Sequence, residues 1–262
     1  MLKFGAATAA RLVLLSICCS CVLLHAQENT LSPGEQENGW ILLFDGSARG
    51  WRSMTNDVFP SASWLAQDGC LKTVAKRGNP GIDLVSTFSY EYFEMTFDWR
   101  LTRGANTGIK YLIQDYRFDQ PFRTQLLFGP KALGFEFQLV DNEHDDFAPD
   151  HPNQRAGSLY YYRAPVRDAA KPVGEWNTGR LVVTRGRVEH WINGSKVVEY
   201  DPDSPELTRA IEAAVMDPKI PGLTLASART LIRRRKPIKT IALQHHSSEV
   251  SFRNLKVRVL NP

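Results

Sequence analysis

A carboxylate and an amide stand two residues apart inside the apolar stretch "GFEFQLV". Side chains alternate across a β-strand, so Glu136 and Gln138 should share one face, with Phe135, Phe137 and Leu139 on the other. A carboxylate beside an amide can bind a polar ligand and transfer a proton. We therefore interpret this face as the floor of a binding cleft, the alternative being a half-exposed strand that only faces water.

The same strand argues against a two-carboxylate glycosidase. Such enzymes hold their two carboxyl groups about 5 to 9.5 Å apart. Glu136 and Asp141 are five residues apart, which spans roughly 17 Å at about 3.4 Å per residue and puts them on opposite faces. Ordinary acid/base glycoside hydrolysis is therefore disfavoured, unless another strand supplies a partner carboxylate.

A second strand, "NTGIKY", carries polar side chains with the same spacing. Asn106, Gly108 and Lys110 should lie on one face, where the glycine leaves room for a ligand above the backbone. Lys110 could supply a positive charge to that ligand. The alternative is a lysine that is simply exposed to solvent.

Histidines and a glutamine add further candidates. His144 follows the Glu136 strand and could act as an acid, or could be a solvated loop residue beside two aspartates. Gln244 and His246 share a face of "IALQHH" and could contact ligand hydroxyls. His190 fits either a cleft or the core, and its neighbour Trp191 is expected to pack in the core.

A divalent cation is a weaker hypothesis. Asp141, His144, Asp145 and His151 are of the right chemical type to bind one. Their spacing matches no compact ligand motif, so we predict no metal cofactor.

These residues are expected to lie on an all-β scaffold. Short alternating segments recur along the chain, with hairpin signals at Asp68-Gly69 and Asn193-Gly194. One helix is predicted after Ser204, which caps it, with Pro205 in its first turn. The pattern predicts a single β-sandwich or jelly-roll domain over residues 27–262, with one short helix.

The first residues resemble an export signal. Lys3 and Arg11 precede a short apolar run that is too short to span a bilayer, and cleavage is expected after Ala26. Lipid attachment at Cys21 is the alternative, although the residues before it match a lipobox poorly. Cleavage would leave Cys70 as the sole cysteine, so we expect no internal disulfide and no thiolate cluster.

The charge balance argues against nucleic acid as a partner. The net charge is +4, and loss of Lys3 and Arg11 would leave +2, which is too little for a nucleic-acid-binding surface. The basic run Arg229–Lys239 is interpreted as a solvated hairpin. No second apolar run is long enough to span a membrane.

Seven segments, in order, are similar to the 3-keto-disaccharide hydrolase family. The segments are "GWILLFDGSARGW", "NTGIKY", "GFEFQLVDNEH", "AGSLYYYRAP", "GEWNTGRLVV", "EHWINGSKVVEY" and "IALQHHSSEVSFRNLKVR". The resemblance extends from about Gly39 to Leu260. The sequence differs from the family's "G-x-I-x-LQDHG" pattern at Thr240, His245 and Ser247. The resemblance implies a concanavalin-like jelly roll and an exported bacterial protein that acts on glycosides with a ketone at C3 of glucose.

That chemistry needs one base, a donor for an enolate oxygen and an acid, and it needs no close carboxylate pair. We assign these roles to Glu136, Lys110 and His144. The expected substrate contacts are Asn106, Gln138, Asp141, His190, Gln244 and His246. The alternatives are a non-catalytic carbohydrate-binding module of the same fold and a catalytically inactive, partner-binding relative.

Overall fold

The computed structural model describes residues 28–75, 81–115, 132–143, 151–217, 224–233 and 238–261. Within those residues, two antiparallel sheets of eight and five strands form a sandwich. The larger sheet consists of β1 (Trp40–Leu42), β3 (Trp64–Gln67), β4 (Cys70–Thr73), β6 (Phe93–Leu101), β9 (Asn177–Thr184), β10 (Arg187–Ile192), β11 (Ser195–Tyr200) and β13 (Val250–Val259). The smaller sheet consists of β2 (Trp51–Ser53), β5 (Leu84–Ser86), β7 (Asn106–Asp115), β8 (Leu133–Val140) and β12 (Ala242–Leu243).

The strand order places sequence-distant segments side by side. The larger sheet runs β11-β10-β9-β6-β13-β4-β3, with β1 also paired to β13, and the smaller runs β2-β5-β12-β7-β8. The C-terminal strand β13 therefore lies in the middle of the larger sheet. The predicted all-β class, a concanavalin-like jelly-roll sandwich, is confirmed.

Alternating side chains from the two sheets form the core. On β6, Phe93, Met95, Phe97 and Trp99 are all buried on one face, as predicted. Phe97 meets Phe137 of the other sheet edge to face, with ring centroids 5.8 Å apart. Fully burying a side chain of this size contributes about 1.5–3 kcal/mol. The apolar residues of β8 are thus fixed inward, and its polar residues must face outward.

Both predicted hairpin turns are present. Asp68 and Gly69 have φ of 51° and 68° between β3 and β4, and Asn193 and Gly194 have φ of 49° and 79° between β10 and β11. Positive φ at both central residues is what a type I′ turn requires.

The described chain contains three α-helices rather than the one predicted. They are α1 (Pro33–Glu37), α2 (Pro205–Met216) and α3 (Leu225–Arg233). Helix α2 is the predicted one, and the hydroxyl of Ser204 accepts a hydrogen bond from the Leu207 backbone N–H at 3.1 Å. Among the described residues, no helix has the length and apolar content that a bilayer-spanning segment needs.

Helix α3 corrects the predicted hairpin over the first part of the basic run, up to Arg233, and residues 234–237 lie outside the described residues. Thr224 caps it, since its hydroxyl accepts from the Ser227 backbone N–H at 3.1 Å. Ala228 and Leu231, three residues apart, are buried where α3 contacts α2 and β8. The arginines around them hid this helical spacing in the sequence.

Candidate active site

Strands β7 and β8 bring the predicted polar residues onto one face. Their antiparallel register pairs Lys110 with Glu136 and Gly108 with Gln138. Directly opposed residues have Cβ atoms about 4.5–5.5 Å apart. Because Phe135 and Phe137 point into the core, this shared face is the outer face of the smaller sheet, as the alternation predicted.

The side chain of Glu136 lies over the backbone of Gly108. A Cβ atom added at Gly108 would be 2.4 Å from Oε1 of Glu136, closer than two such atoms can come. The missing side chain therefore makes room for the carboxylate, where the sequence suggested room for a ligand. Glu136 itself is only 7% exposed.

Two amides hold this carboxylate. In the orientation that satisfies its hydrogen bonds, Gln138 donates to Oε1 of Glu136 and to the backbone oxygen of Thr107, both at 3.1 Å. In the opposite orientation the same amide would instead donate to Oδ1 of Asn106 at 3.3 Å. Gln244 donates to Oε2 of Glu136 at 3.3 Å. Each carboxylate oxygen thus has its own donor, which fixes the plane of the carboxylate.

Gln244 also presents an unsatisfied acceptor. Its backbone is fixed to β7, donating to the Gly108 carbonyl at 2.9 Å and accepting from the Thr107 hydroxyl at 2.7 Å. Its side-chain Oε1 is buried, and no donor within the described part of the chain reaches it. A buried acceptor without a partner costs about 1–3 kcal/mol, so a ligand hydroxyl placed there would be stabilised.

Lys110 forms a buried ion pair with a residue that the sequence analysis did not identify. Its ammonium lies 3.2 Å from Oδ2 of Asp83, and the two side chains are 6% and 0% exposed. Asp83 also accepts hydrogen bonds from the backbone N–H groups of Ala132 and His245, at 3.3 and 3.1 Å. The only hint in the sequence was a lone aspartate beside the apolar residues of "GIDLV". We call Glu136, Gln138, Gln244, Lys110 and Asp83 the outer cluster.

His190 does not belong to this cluster, and the prediction that it contacts substrate is wrong. It is fully buried between the sheets, stacked on Phe137 with ring centroids 4.2 Å apart. Its Nδ1–H donates to the Gly157 carbonyl at 3.0 Å, and its Nε2 accepts from the Tyr111 hydroxyl at 2.7 Å. Burial lowers its pKa to about 4, so it is neutral at pH 7. Tyr111 is also 2.7 Å from the Tyr200 hydroxyl, and we call these three side chains the core cluster.

Asp141 makes local backbone contacts, and its predicted contact with substrate stays a prediction. Its carboxylate accepts from the backbone N–H of Gly104 at 2.9 Å and of Glu143 at 3.0 Å. It therefore stabilises the turns at the ends of β6 and β8. The odd spacing from Glu136 had already put the two carboxylates on opposite faces of an extended strand.

Trp191 lies on the surface rather than in the core. It is half-buried on the larger sheet, with the cations of Arg180 and Lys196 at 5.0 and 5.8 Å from its ring. Its indole N–H donates to Glu189 at 2.9 Å. His190 and Ile192 are buried on the core side of β10, so alternation along the strand places Trp191 on the opposite, outer face of the larger sheet.

Other predicted residues stay open. His246 is half-buried, two residues after Gln244, and its contact with substrate remains a prediction. His144 and Asp145 lie outside the described residues. Across the described ranges, no three His, Cys, Asp or Glu side chains are grouped as metal ligands. The cation hypothesis depends partly on residues beyond those ranges, so it is left untested.

Fold and site together define a jelly-roll protein with a charged, amide-lined site on the outer face of one sheet. Such a site suits a polar, hydroxyl-rich ligand. Residues 39–258 match the family model of the 3-keto-alpha-glucoside-1,2-lyase-like domain. The chain belongs to this family.

Known relatives agree with that assignment. A 3-keto-disaccharide hydrolase from Bacteroides thetaiotaomicron is 30% identical over 247 residues, which cover 91% of this chain and 84% of the relative. The crystal structure of a candidate glycosyl hydrolase from Parabacteroides distasonis shares the fold, with a TM-score of 0.68 and 24% identity over 90% of this chain and all of the other. A second structure from that species has a TM-score of 0.59 at 22% identity, covering 84% of this chain and 99% of the other. The family and the named relative support a glycoside-hydrolase function.

Proposed function

We propose that this protein cleaves glycosides whose glucose unit carries a ketone at C3, by elimination across C1 and C2 followed by addition of water. The observation that carries the proposal is the Glu136 carboxylate, oriented by two amides over Gly108 and directly opposite Lys110. The family name refers to a 1,2-lyase and the named relative is a hydrolase. Elimination followed by hydration accounts for both names.

The chemistry follows from the ketone. A carbonyl at C3 acidifies the proton on C2, which the Glu136 carboxylate removes to give an enolate. Re-formation of the C3 carbonyl expels the C1 substituent, whose oxygen takes a proton from an acid. Water then adds to C1 while Glu136 returns its proton to C2. The net result is hydrolysis, with the catalytic groups restored.

Lys110 and Gln244 supply the supporting interactions in this proposal. The ammonium of Lys110, held by Asp83, stabilises the negative charge that develops on the enolate oxygen at C3. The Oε1 of Gln244, which no donor among the described residues reaches, accepts a hydrogen bond from a sugar hydroxyl. We propose further hydroxyl contacts for Asn106 and His246.

A turnover assay with 3-keto-trehalose tests the proposal. We expect the purified protein to release 3-keto-glucose, and Glu136→Gln to abolish that release. Glu94→Gln is the matched control, because Glu94 is also a buried glutamate, paired instead with Arg180 and Arg258 on the larger sheet. Release that survives in Glu136→Gln would assign the base to another residue. Binding of unoxidised oligosaccharide without turnover would favour a carbohydrate-binding module.

The same assay tests the prediction that no metal is needed. Turnover should be unchanged after incubation with EDTA. Loss of turnover that one added divalent cation restores would overturn this prediction.

We also propose that the protein is exported, to the periplasm or beyond the cell, because of the leader ending at Ala26. Amino-terminal sequencing of the protein from its native host should then begin at Gln27. A lipid-modified Cys21 at the amino terminus would replace this proposal with a membrane-anchored form.

A further inference from the structure

A tyrosine-rich segment lies along the free edge of β8, beside the outer cluster. Residues 156–163 form turns that are joined to β8 by backbone hydrogen bonds. The Gln138 N–H donates to the Ser158 carbonyl at 3.1 Å, and the Tyr160 N–H donates to the Glu136 carbonyl at 3.0 Å. Tyr160 is thus fixed next to the proposed base.

The next residue, Tyr161, is held in an uncommon backbone conformation. Its φ is +70°, in the left-handed region that bulky residues avoid. Asn153 fixes it from both sides, since its backbone carbonyl accepts from the Tyr161 N–H at 3.0 Å and its amide donates to the Tyr161 carbonyl at 2.7 Å. Such a conformation costs about 1–3 kcal/mol and persists only where the surroundings impose it.

This conformation brings two phenol rings together. The ring centroids of Tyr160 and Tyr161 are 3.9 Å apart, at an interplanar angle of 33°. Both rings are half-buried. Tyr162 is also half-buried, but its ring packs against Phe135 of the core, with centroids 6.3 Å apart.

The two phenols differ in their electrostatic surroundings. Burial, and then the Tyr161 phenol, raise the pKa of Tyr160 well above its usual value. Burial also raises the pKa of Tyr161, but interaction with the Tyr160 phenol lowers it in part. The charge of Glu136 raises the pKa of both. Both phenols are therefore protonated at neutral pH. If Tyr161 loses its proton, the hydrogen bond with Tyr160 stabilises the resulting phenolate.

We propose that Tyr161 donates the proton to the leaving-group oxygen when the C1–O bond breaks, an inference that rests on the proposed function. The electron pair of the C1–O bond goes to that oxygen, which takes the phenol proton and departs as an alcohol. The phenolate then takes a proton from the water that adds to C1, which restores the phenol. Tyr160 acts as a positioning residue that stabilises the transient phenolate.

The test compares two leaving groups in Tyr161→Phe. A sugar alkoxide must be protonated as it leaves, whereas p-nitrophenolate leaves as a stable anion. We expect kcat/KM for 3-keto-trehalose to fall about 100-fold or more, in line with loss of a general acid. With p-nitrophenyl 3-keto-glucoside, kcat/KM should change little. Tyr162→Phe is the matched control and should leave both substrates unaffected.

Two further variants make the result specific. Glu136→Gln should lose turnover of both substrates, since every substrate needs the base. Tyr160→Phe should move the alkaline limb of the pH profile for 3-keto-trehalose to higher pH, which a merely structural role would not do.

Each other outcome overturns the assignment. Equal losses on both substrates in Tyr161→Phe would show a structural or binding role, and no loss would exclude Tyr161 as the acid. A leaving-group-dependent loss in His144→Gln instead would move the acid to His144. Lack of turnover by the wild-type protein would refute the proposed function itself, and this role with it.

Discussion

Two buried polar clusters lie on opposite faces of the smaller sheet, and the clusters differ in charge and in what they leave unsatisfied. The core cluster is neutral. In it, the Tyr111 hydroxyl is hydrogen-bonded to the imidazole of His190 and to the hydroxyl of Tyr200. The outer cluster contains an ion pair and a second carboxylate, and the buried Oε1 of Gln244 has no donor among the described residues.

The difference indicates what each cluster is for. A buried network whose groups are all paired makes one packing arrangement more stable than its alternatives. A buried charge with an unpaired acceptor beside it is costly unless something binds there. Consecutive residues of β7, Lys110 and Tyr111, therefore serve, in our proposal, chemistry on one face and stability on the other.

The sharpest test applies one isosteric change to each cluster. Glu136→Gln removes the proposed base, so we expect kcat for 3-keto-trehalose to fall about 1,000-fold with little loss of stability. Tyr200→Phe removes one hydroxyl of the core cluster, and should lower the free energy of unfolding by about 1 kcal/mol while leaving kcat unchanged. Urea titration and initial-rate assays measure both. A loss of stability without a loss of kcat in Glu136→Gln, and the reverse in Tyr200→Phe, would contradict the comparison.

Breaking the ion pair of the outer cluster should cost stability as well. Asp83→Asn leaves the ammonium of Lys110 buried without its counter-charge, and should lower the free energy of unfolding by about 3 kcal/mol. The double variant Asp83→Asn, Lys110→Met removes both charges and should regain most of that stability without regaining turnover. An active double variant would contradict the role given to Lys110.

A methyl group can displace the base without changing any charged group. Gly108→Ala forces the Glu136 carboxylate away from the strand, since the new Cβ would lie 2.4 Å from Oε1. Misplacement of a reacting group by about 1 Å can reduce kcat about 100-fold, and we expect a loss of that size. Gly34→Ala, where no atom lies within 4 Å, is the control and should be silent. Full activity in Gly108→Ala would mean that this position of Glu136 is not the working one.

The core cluster predicts a pH effect on stability. The pKa of His190 is about 4 in the folded protein, because burial disfavours the charged form, and about 6.5 when unfolded. The unfolded state therefore binds more protons below pH 6.5, and folding stability falls as the pH drops toward 4. Between pH 7 and pH 5 this histidine should account for about 2 kcal/mol of lost stability.

Denaturant titrations of the wild type and His190→Gln at both pH values measure that contribution. The variant should be less stable at pH 7 but less sensitive to pH. An equal pH dependence in both proteins would mean that His190 titrates normally in the fold.

Much of the fold could be predicted because local rules decide it. Alternation fixed the inward face of β6 and β8, and Asn-Gly and Asp-Gly located two hairpins. Ser204 and Pro205 predicted the start of α2. Helix α3 escaped prediction because its apolar positions are separated by arginines and stabilised by contacts with α2 and β8.

The site was only partly predictable, because long-range pairing assembles it. Alternation placed Glu136 and Gln138 on one face, but nothing local connects Asp83 with Lys110, 27 residues later. The position of Tyr160 depends on an edge contact with β8. The burial of His190 depends on the packing of the two sheets, which stacks its ring on Phe137. These facts depend on which strands become neighbours, and the strand order cannot be inferred from residue spacing.

Proton removal at C2 is most directly tested by running the wild-type reaction on 3-keto-trehalose in D₂O and analysing the released keto-sugar by NMR. The mechanism predicts deuterium at C2 of the released sugar, introduced during turnover. Deuterium should be absent from C2 when free 3-keto-glucose is incubated with Glu136→Gln. Released sugar that keeps only its original hydrogen at C2, together with equal rates for substrates carrying hydrogen and deuterium at C2, would contradict it, because a proton that Glu136 removes and returns without exchange would still make the deuterated substrate react more slowly.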